Sequence, residues 1–330
     1  VQATRPADWT YASGNAAARE VRMLPEGFFR ELLSEPVPDG LLRRAGETVL
    51  RERIHSVEDL YEADRHAEEA WDELLHEVGA ACPTPLIEEL FELPRLFRSF
   101  KSYVKRTQFG LPLEKVPSRF EDADWEALWN DYAPHVPHCV RHGALRAREI
   151  AKEEPDRPEF VDNALDVSCL VGLREISERG AGSLIAEYYR HYGAVKGVEM
   201  LWRARQAGMD SRTETLLWEM RQEHDLFIAL SQTEEENWVD LVGSVLVGLQ
   251  ASILDEAPGY GRLRGFVRAA DEWLMAHARD ARNVPFGPER VFGYLLGMEA
   301  ELQNLKIALA GRALGVPGQV LAGRLRAVYA

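Results

Sequence analysis

Cysteine is scarce in this chain, with three in 330 residues, at Cys82, Cys139 and Cys169. So sparse and odd a set builds no disulfide framework and suits a reducing compartment. Asn-x-Ser/Thr sequons are missing as well, and both absences point to the cytoplasm. No apolar run approaches the roughly 20 residues that a membrane-spanning helix needs, so no span is expected. The opening stretch VQATRPADWTYASG has no apolar core of the kind a signal peptide carries. Cations are in deficit, with 39 Lys and Arg against 54 Asp and Glu and a net charge of −15. Such a surface repels nucleic acid, where neutralised phosphates supply most of the affinity. It also disfavours anionic lipid headgroups and better suits a basic protein partner. Walker A, nucleophile-elbow, zincin and Rossmann fingerprints are all missing, and neither a catalytic residue nor a cofactor is expected.

Strand patterns are missing too. No alternating run bounded by turn residues stands out, and nearly every segment has helical periodicity. The stretch SVEDLYEADRHAEEAWDELLHEVG opens with Ser56 as N-cap, and Glu58 and Asp59 follow where the helix dipole favours anions. RTETLLWEMRQEHDLFIAL and EEENWVDLVGSVLVGLQASIL repeat the pattern, with Thr233 and Glu236 forming a capping box ahead of the latter. Short Pro-rich or Gly-rich joints separate these blocks. The fold class is all-α.

Three segments share a design. They end at Gly110, Gly208 and Gly315, about 100 residues apart. Counting back from each glycine by 6, 10, 13, 17 and 20 positions gives an apolar stripe. The first stripe is Val104, Phe100, Phe97, Leu93 and Leu90. The second is Trp202, Val198, Val195, His191 and Tyr188, with His191 the one polar member. The third is Leu309, Leu305, Leu302, Met298 and Leu295. Steps of three and four keep each stripe on one helical face. The glycine fits the left-handed position just past a helix end. Cations such as Lys105, Arg106, Arg203, Arg205 and Arg312 collect in the last turns, where the dipole is negative.

The third segment, EAELQNLKIALAGRALGVP at 299–317, resembles the signature of the C-type subunits of the bacterial and archaeal V/A-type ATPases, whose eukaryotic relatives are the d-type subunits. Glu301, Asn304, Leu305, Lys306, Leu309, Arg312 and Gly315 fit that signature in order. Leu201, Trp202, Arg203, Arg205 and Gly208 fit it more loosely, and Lys101, Val104 and Gly110 keep traces of it. The stretch 11–33 resembles a worn version of the family's first helix. Ser99 and Gly197 stand where the signature has Asn, and Leu96 and Ala194 where it has an acid, so the chain reads as a divergent member.

The resemblance implies three pseudo-repeated helical lobes, 1–118, 119–215 and 216–330, arranged as a funnel with pseudo-three-fold symmetry. It implies a protein of the cytoplasm, peripheral to the membrane. Its partners would be the central-stalk subunits and the membrane rotor ring, and its task to transmit torque for ion transport or ATP synthesis. Glu301, Asn304, Lys306, Arg312, Arg203, Arg205 and Lys101 are then the candidates for partner binding or for holding the lobes. For Asn304 a polar contact to a neighbouring helix is favoured over direct contact with a partner.

Other clusters give competing readings. PHVPHCVRH places His135, His138, Cys139 and His142 on one helical face, all of them metal-binding side chains. Four ligands on one straight helix do not surround a tetrahedral ion, and Pro134 and Pro137 suit a helix start. The dipeptide His224-Asp225, with His191 upstream and Asp240 or Asp255 downstream, suggests a metal-dependent all-helical hydrolase. Asp162 and Asp166 at i, i+4 either share a proton or sit on a solvated face. A helical adaptor unrelated to ATPases is the third reading.

Overall fold

A computed structural model describes residues 5–111, 124–131, 136–180, 182–220, 223–247, 249 and 260–330. Among the described residues all regular structure is helical. The α-helices run α1 (Thr10–Glu20), α2 (Glu26–Ser34), α3 (Asp39–Ala45), α4 (Val57–Tyr61), α5 (Ala63–Ala80), α6 (Leu86–Phe109), α7 (Trp125–Trp129) and α8 (His138–Glu153). They continue as α9 (Pro158–Glu178), α10 (Ser183–Gln206), α11 (Asp210–Leu217), α12 (His224–Ser231), α13 (Trp238–Val245), α14 (Tyr260–Arg279), α15 (Pro288–Ala313) and α16 (Gly318–Ala322). The chain divides into two compact units. One joins Val1–Glu88 to Asp271–Ala330, and the other is Glu89–Ala270.

The three glycine-ended segments are the three long helices α6, α10 and α15. Every stripe residue is buried except His191, which is half-buried. All three glycines have positive φ, 65° at Gly110, 68° at Gly208 and 78° at Gly315. The ends of α10 and α15 match bond for bond. Gly208 and Gly315 donate to the carbonyls of Arg205 and Arg312, both at 3.0 Å. Met209 and Val316 donate to Ala204 and Gly311, at 2.8 and 2.9 Å. These are the paired bonds of the Schellman end. The end of α6 is wider, with Gly110 bonded to Arg106 and Leu111 to Lys105.

In the discontinuous unit, α15 is the central helix. It packs on α1, α2, α4, α5 and α16. A helix buried nearly all round must be apolar nearly all round, and Val291, Phe292, Leu295, Met298, Leu302 and Leu305 supply that. Gly293 and Gly297 open a groove on it for Tyr329. A β-carbon on Gly293 would stand 2.7 Å from the Tyr329 hydroxyl, and one on Gly297 would stand 2.5 Å from Tyr329 Cβ. Tyr329 is 1% exposed. Arg282 donates to its carbonyl at 2.5 Å and stacks 4.2 Å over its ring, and Arg279 donates to the carbonyl of Val328.

In the continuous unit, α9 is the core. It packs on α8, α10 and α11. Close approach of α8 and α9 needs small residues, and Gly143 and Gly172 provide them. A β-carbon on Gly143 would meet Ser168 at 2.9 Å, and one on Gly172 would meet the Cys139 sulfur at 2.6 Å. Phe227 of α12 lies against Gly197 of α10.

Several local expectations hold and several need correction. Ser56 caps α4 by accepting from the amide of Asp59, and Asp59 completes the box by accepting from Ser56. The helix expected from there breaks at Glu62 and resumes as α5. The stretch 11–33 is two helices, the first ending at Glu20 and the second entered through Pro25 as its N-cap. Thr233 does not cap. Its hydroxyl turns back to the carbonyl of Ala229 at 2.6 Å, and Glu234 precedes the short 3-10 turn at Glu235–Asn237.

Candidate functional site

The signature residues of α15 face four different neighbours inside their own unit. Glu301 is 3% exposed and accepts a hydrogen bond from the backbone N–H of Leu24 at 2.8 Å. The break between α1 and α2 leaves that N–H without a helical acceptor, and the carboxylate supplies one. Burial pushes the Glu301 pKa up to about 7, with the Leu24 N–H pulling the other way. Asn304 is wholly buried. Its Nδ2 donates to the carbonyl of Arg326 at 3.0 Å, and its Oδ1 accepts from the amide of Arg326 at 2.7 Å. The expected polar contact is therefore made to the non-helical segment 325–330, not to a helix.

Lys306 pairs with Asp64 of α5 at 2.8 Å on the surface. Arg312 donates to the carbonyl of Val316 at 3.4 Å and to that of Glu35, the C-cap of α2, at 3.2 Å. Arg205 holds the equivalent place in α10, three residues before the terminal glycine. It donates to the carbonyls of Thr233 and Ser231, at 2.7 and 3.1 Å, and lies 4.7 Å over the Trp238 ring. Each arginine thus uses its planar fork to bond two backbone carbonyls, at least one of them at the end of a shorter helix. Arg203 is largely exposed and pairs with the buried Glu199 at 2.5 Å.

Lys101 of α6 pairs with Asp166 of α9, and Lys105 with Asp162 at 2.7 Å. The two aspartates do not share a proton, and each pairs with its own lysine, while the Asp166 side chain stays 47% exposed as a solvated face would have it. Burial raises the pKa of Asp162, and the Lys105 hydrogen bond lowers it by less. The sequence held a signal that neither reading used. A Lys pair at i, i+4 opposes an Asp pair at i, i+4, with the order reversed as antiparallel helices require.

The metal readings gain no geometry. His135 and Asp255 lie outside the described residues, as does the side chain of His224. His138 and His142 are exposed and stack on each other with ring centres 6.2 Å apart. Cys139 is not on their face. It is buried against Gly172, and burial raises its thiol pKa. His191 lies beside Arg190 on α10, and Asp225 is exposed on α12. Among the described residues no group of three His, Cys, Asp or Glu side chains is placed to hold a metal ion.

Comparison with curated proteins returns no match. The family model described as ATP synthase (C/AC39) subunit matches residues 18–323, a span that takes in all three glycine-ended helices and the whole of the α15 signature. The chain belongs to the ATP synthase (C/AC39) subunit family.

Proposed function

We propose that this protein is a non-catalytic rotor-coupling subunit of a V/A-type ATPase. In this reading it links the central stalk to the membrane rotor ring and passes torque between them. The observation that carries the reading is the family match over 18–323. The use of the signature residues supports it. Glu301, Asn304, Arg312 and Arg205 bond to backbone groups of neighbouring segments and are not gathered round a reactive centre. A part that transmits torque needs such stiffness, since closely packed interiors have low compressibility. Three lobes, 1–118, 119–215 and 216–330, each built on one of α6, α10 and α15, remain part of the proposal.

Among the described residues no helix is long and apolar enough to cross a membrane, so attachment would run through the complex. The net charge of −15 suits a basic stalk tip. The test is affinity purification of the tagged full chain from its own membranes. Recovery of stalk and ring subunits is expected, with the stalk contact weakening as salt rises. Recovery of neither would overturn the proposal.

A further inference from the structure

Within the continuous unit, α6, α9 and α10 enclose a cleft of about 360 Å³. That volume lies at the small end of the range for small-molecule sites, roughly 300–1,000 Å³. Phe97, Leu170, Leu173 and Met200 give it apolar lining. Its charged lining is mostly cationic. Arg98, Lys101 and Lys105 come from α6, and Lys196 and Arg203 from α10. Asp166 and Glu199 are the two carboxylates that line it with them. Five of the seven charged side chains that line it are thus cations, and Asp162 holds Lys105 from just outside. This occurs in a chain whose net charge is −15.

The carboxylates position the cations without exhausting them. Asp166 takes Lys101. Glu199 is buried and takes both Lys196, at 2.9 Å, and Arg203, at 2.5 Å. An ammonium has three N–H donors and a guanidinium five, so each cation keeps donors beyond its ion pair. Cations fixed by ion pairs lose little freedom on meeting a ligand. The arrangement suits a dianion with several acceptor oxygens on a small apolar body.

We propose that this cleft binds a small phosphate ester, with the phosphate held by Lys101, Lys196 and Arg203 and the apolar part against Phe97 and Met200. The inference stands apart from the rotor-coupling reading. A free metabolite and a phospholipid headgroup share this chemistry, and the test separates them.

The full chain is titrated calorimetrically with phenyl phosphate at constant ionic strength. In parallel it is floated with phosphatidylcholine vesicles that contain phosphatidic acid. One saturable site for phenyl phosphate assigns a soluble ester, and binding to the vesicles alone assigns a headgroup. Arg203 has a side chain 65% exposed, so Arg203→Gln should fold normally, and thermal unfolding checks this. Arg203→Gln and Lys196→Gln are each expected to weaken the observed binding about tenfold. Arg30→Gln, on the surface of the other unit, should leave it unchanged. No saturable binding of either probe, with phenyl phosphate taken to about 10 mM, would overturn the proposal. So would binding that both cleft variants leave intact.

Discussion

Asn304 holds the peptide of Arg326 on both sides, donating to its carbonyl at 3.0 Å and accepting from its amide at 2.7 Å. A carboxamide is the side chain that can do both at once, since it carries an acceptor and a donor at the same reach. Asn304→Ala would leave two peptide groups unpaired beside a buried site. The expected loss is about 2–4 kcal/mol of unfolding free energy, measured by urea denaturation. Faster hydrogen exchange at the Arg326 amide should accompany it, because the segment 325–330 loses its anchor. An unchanged exchange rate would count against this role.

Glu301 makes stability depend on pH. Its pKa in the folded chain is pushed up to about 7, against 4.5 for an ordinary glutamate. Between those values the folded state binds a proton that the unfolded state does not. The stabilising effect is therefore complete below about pH 4.5 and lost as pH rises through about 7. The full swing is about 3 kcal/mol. Glu301→Gln keeps an acceptor for the Leu24 amide and removes the titration. The variant should gain on the wild type from pH 4.5 to 8, and parallel stability curves would refute the assignment.

Gly197 stands where the family signature has Asn. The structure gives a local reason, because Phe227 occupies the space a side chain would need. A β-carbon there would stand 2.6 Å from Phe227 Cε1 and nearer still to Cζ. Gly197→Ala should cost about 1–3 kcal/mol through overpacking. Phe227→Leu in the same chain should recover part of that, so the two changes should be non-additive.

Gly208 and Gly315 test the helix ends. A β-carbon on either meets nothing within 4 Å, so an alanine there is opposed by backbone conformation alone. Each Gly→Ala change should cost about 1–2 kcal/mol, and the pair should add, since the two glycines belong to different units. Thermal unfolding of the two single variants and the double variant checks this.

The three long helices were legible in the sequence because their signals are local. A stripe at steps of three and four and a glycine stop need no knowledge of what lies opposite. The short breaks were not legible. Nothing in SVEDLYEADRHAEE marks Glu62 as an interruption, since each residue there is compatible with a helix. The duties of the signature residues were less legible still. Glu301 meets Leu24 and Lys306 meets Asp64, partners 277 and 242 positions away. The lysine partners of Asp162 and Asp166 were hidden for the same reason, because they lie on another helix. Sequence periodicity says which face is covered but not by whom.

The two units differ in how they can be made. Residues 89–270 form one unbroken stretch and have all their parts once residue 270 has left the ribosome. Residues 1–88 do not, because α15, the helix that covers α1, α2 and α5, comes at the far end of the message. At ordinary translation speeds the wait is on the order of ten seconds or more. Through that interval Phe29, Leu32, Trp71 and Leu75, buried in the finished molecule, lack the helix that will shield them. The order of synthesis thus delivers every part of the middle unit before the last part of the unit that begins the chain.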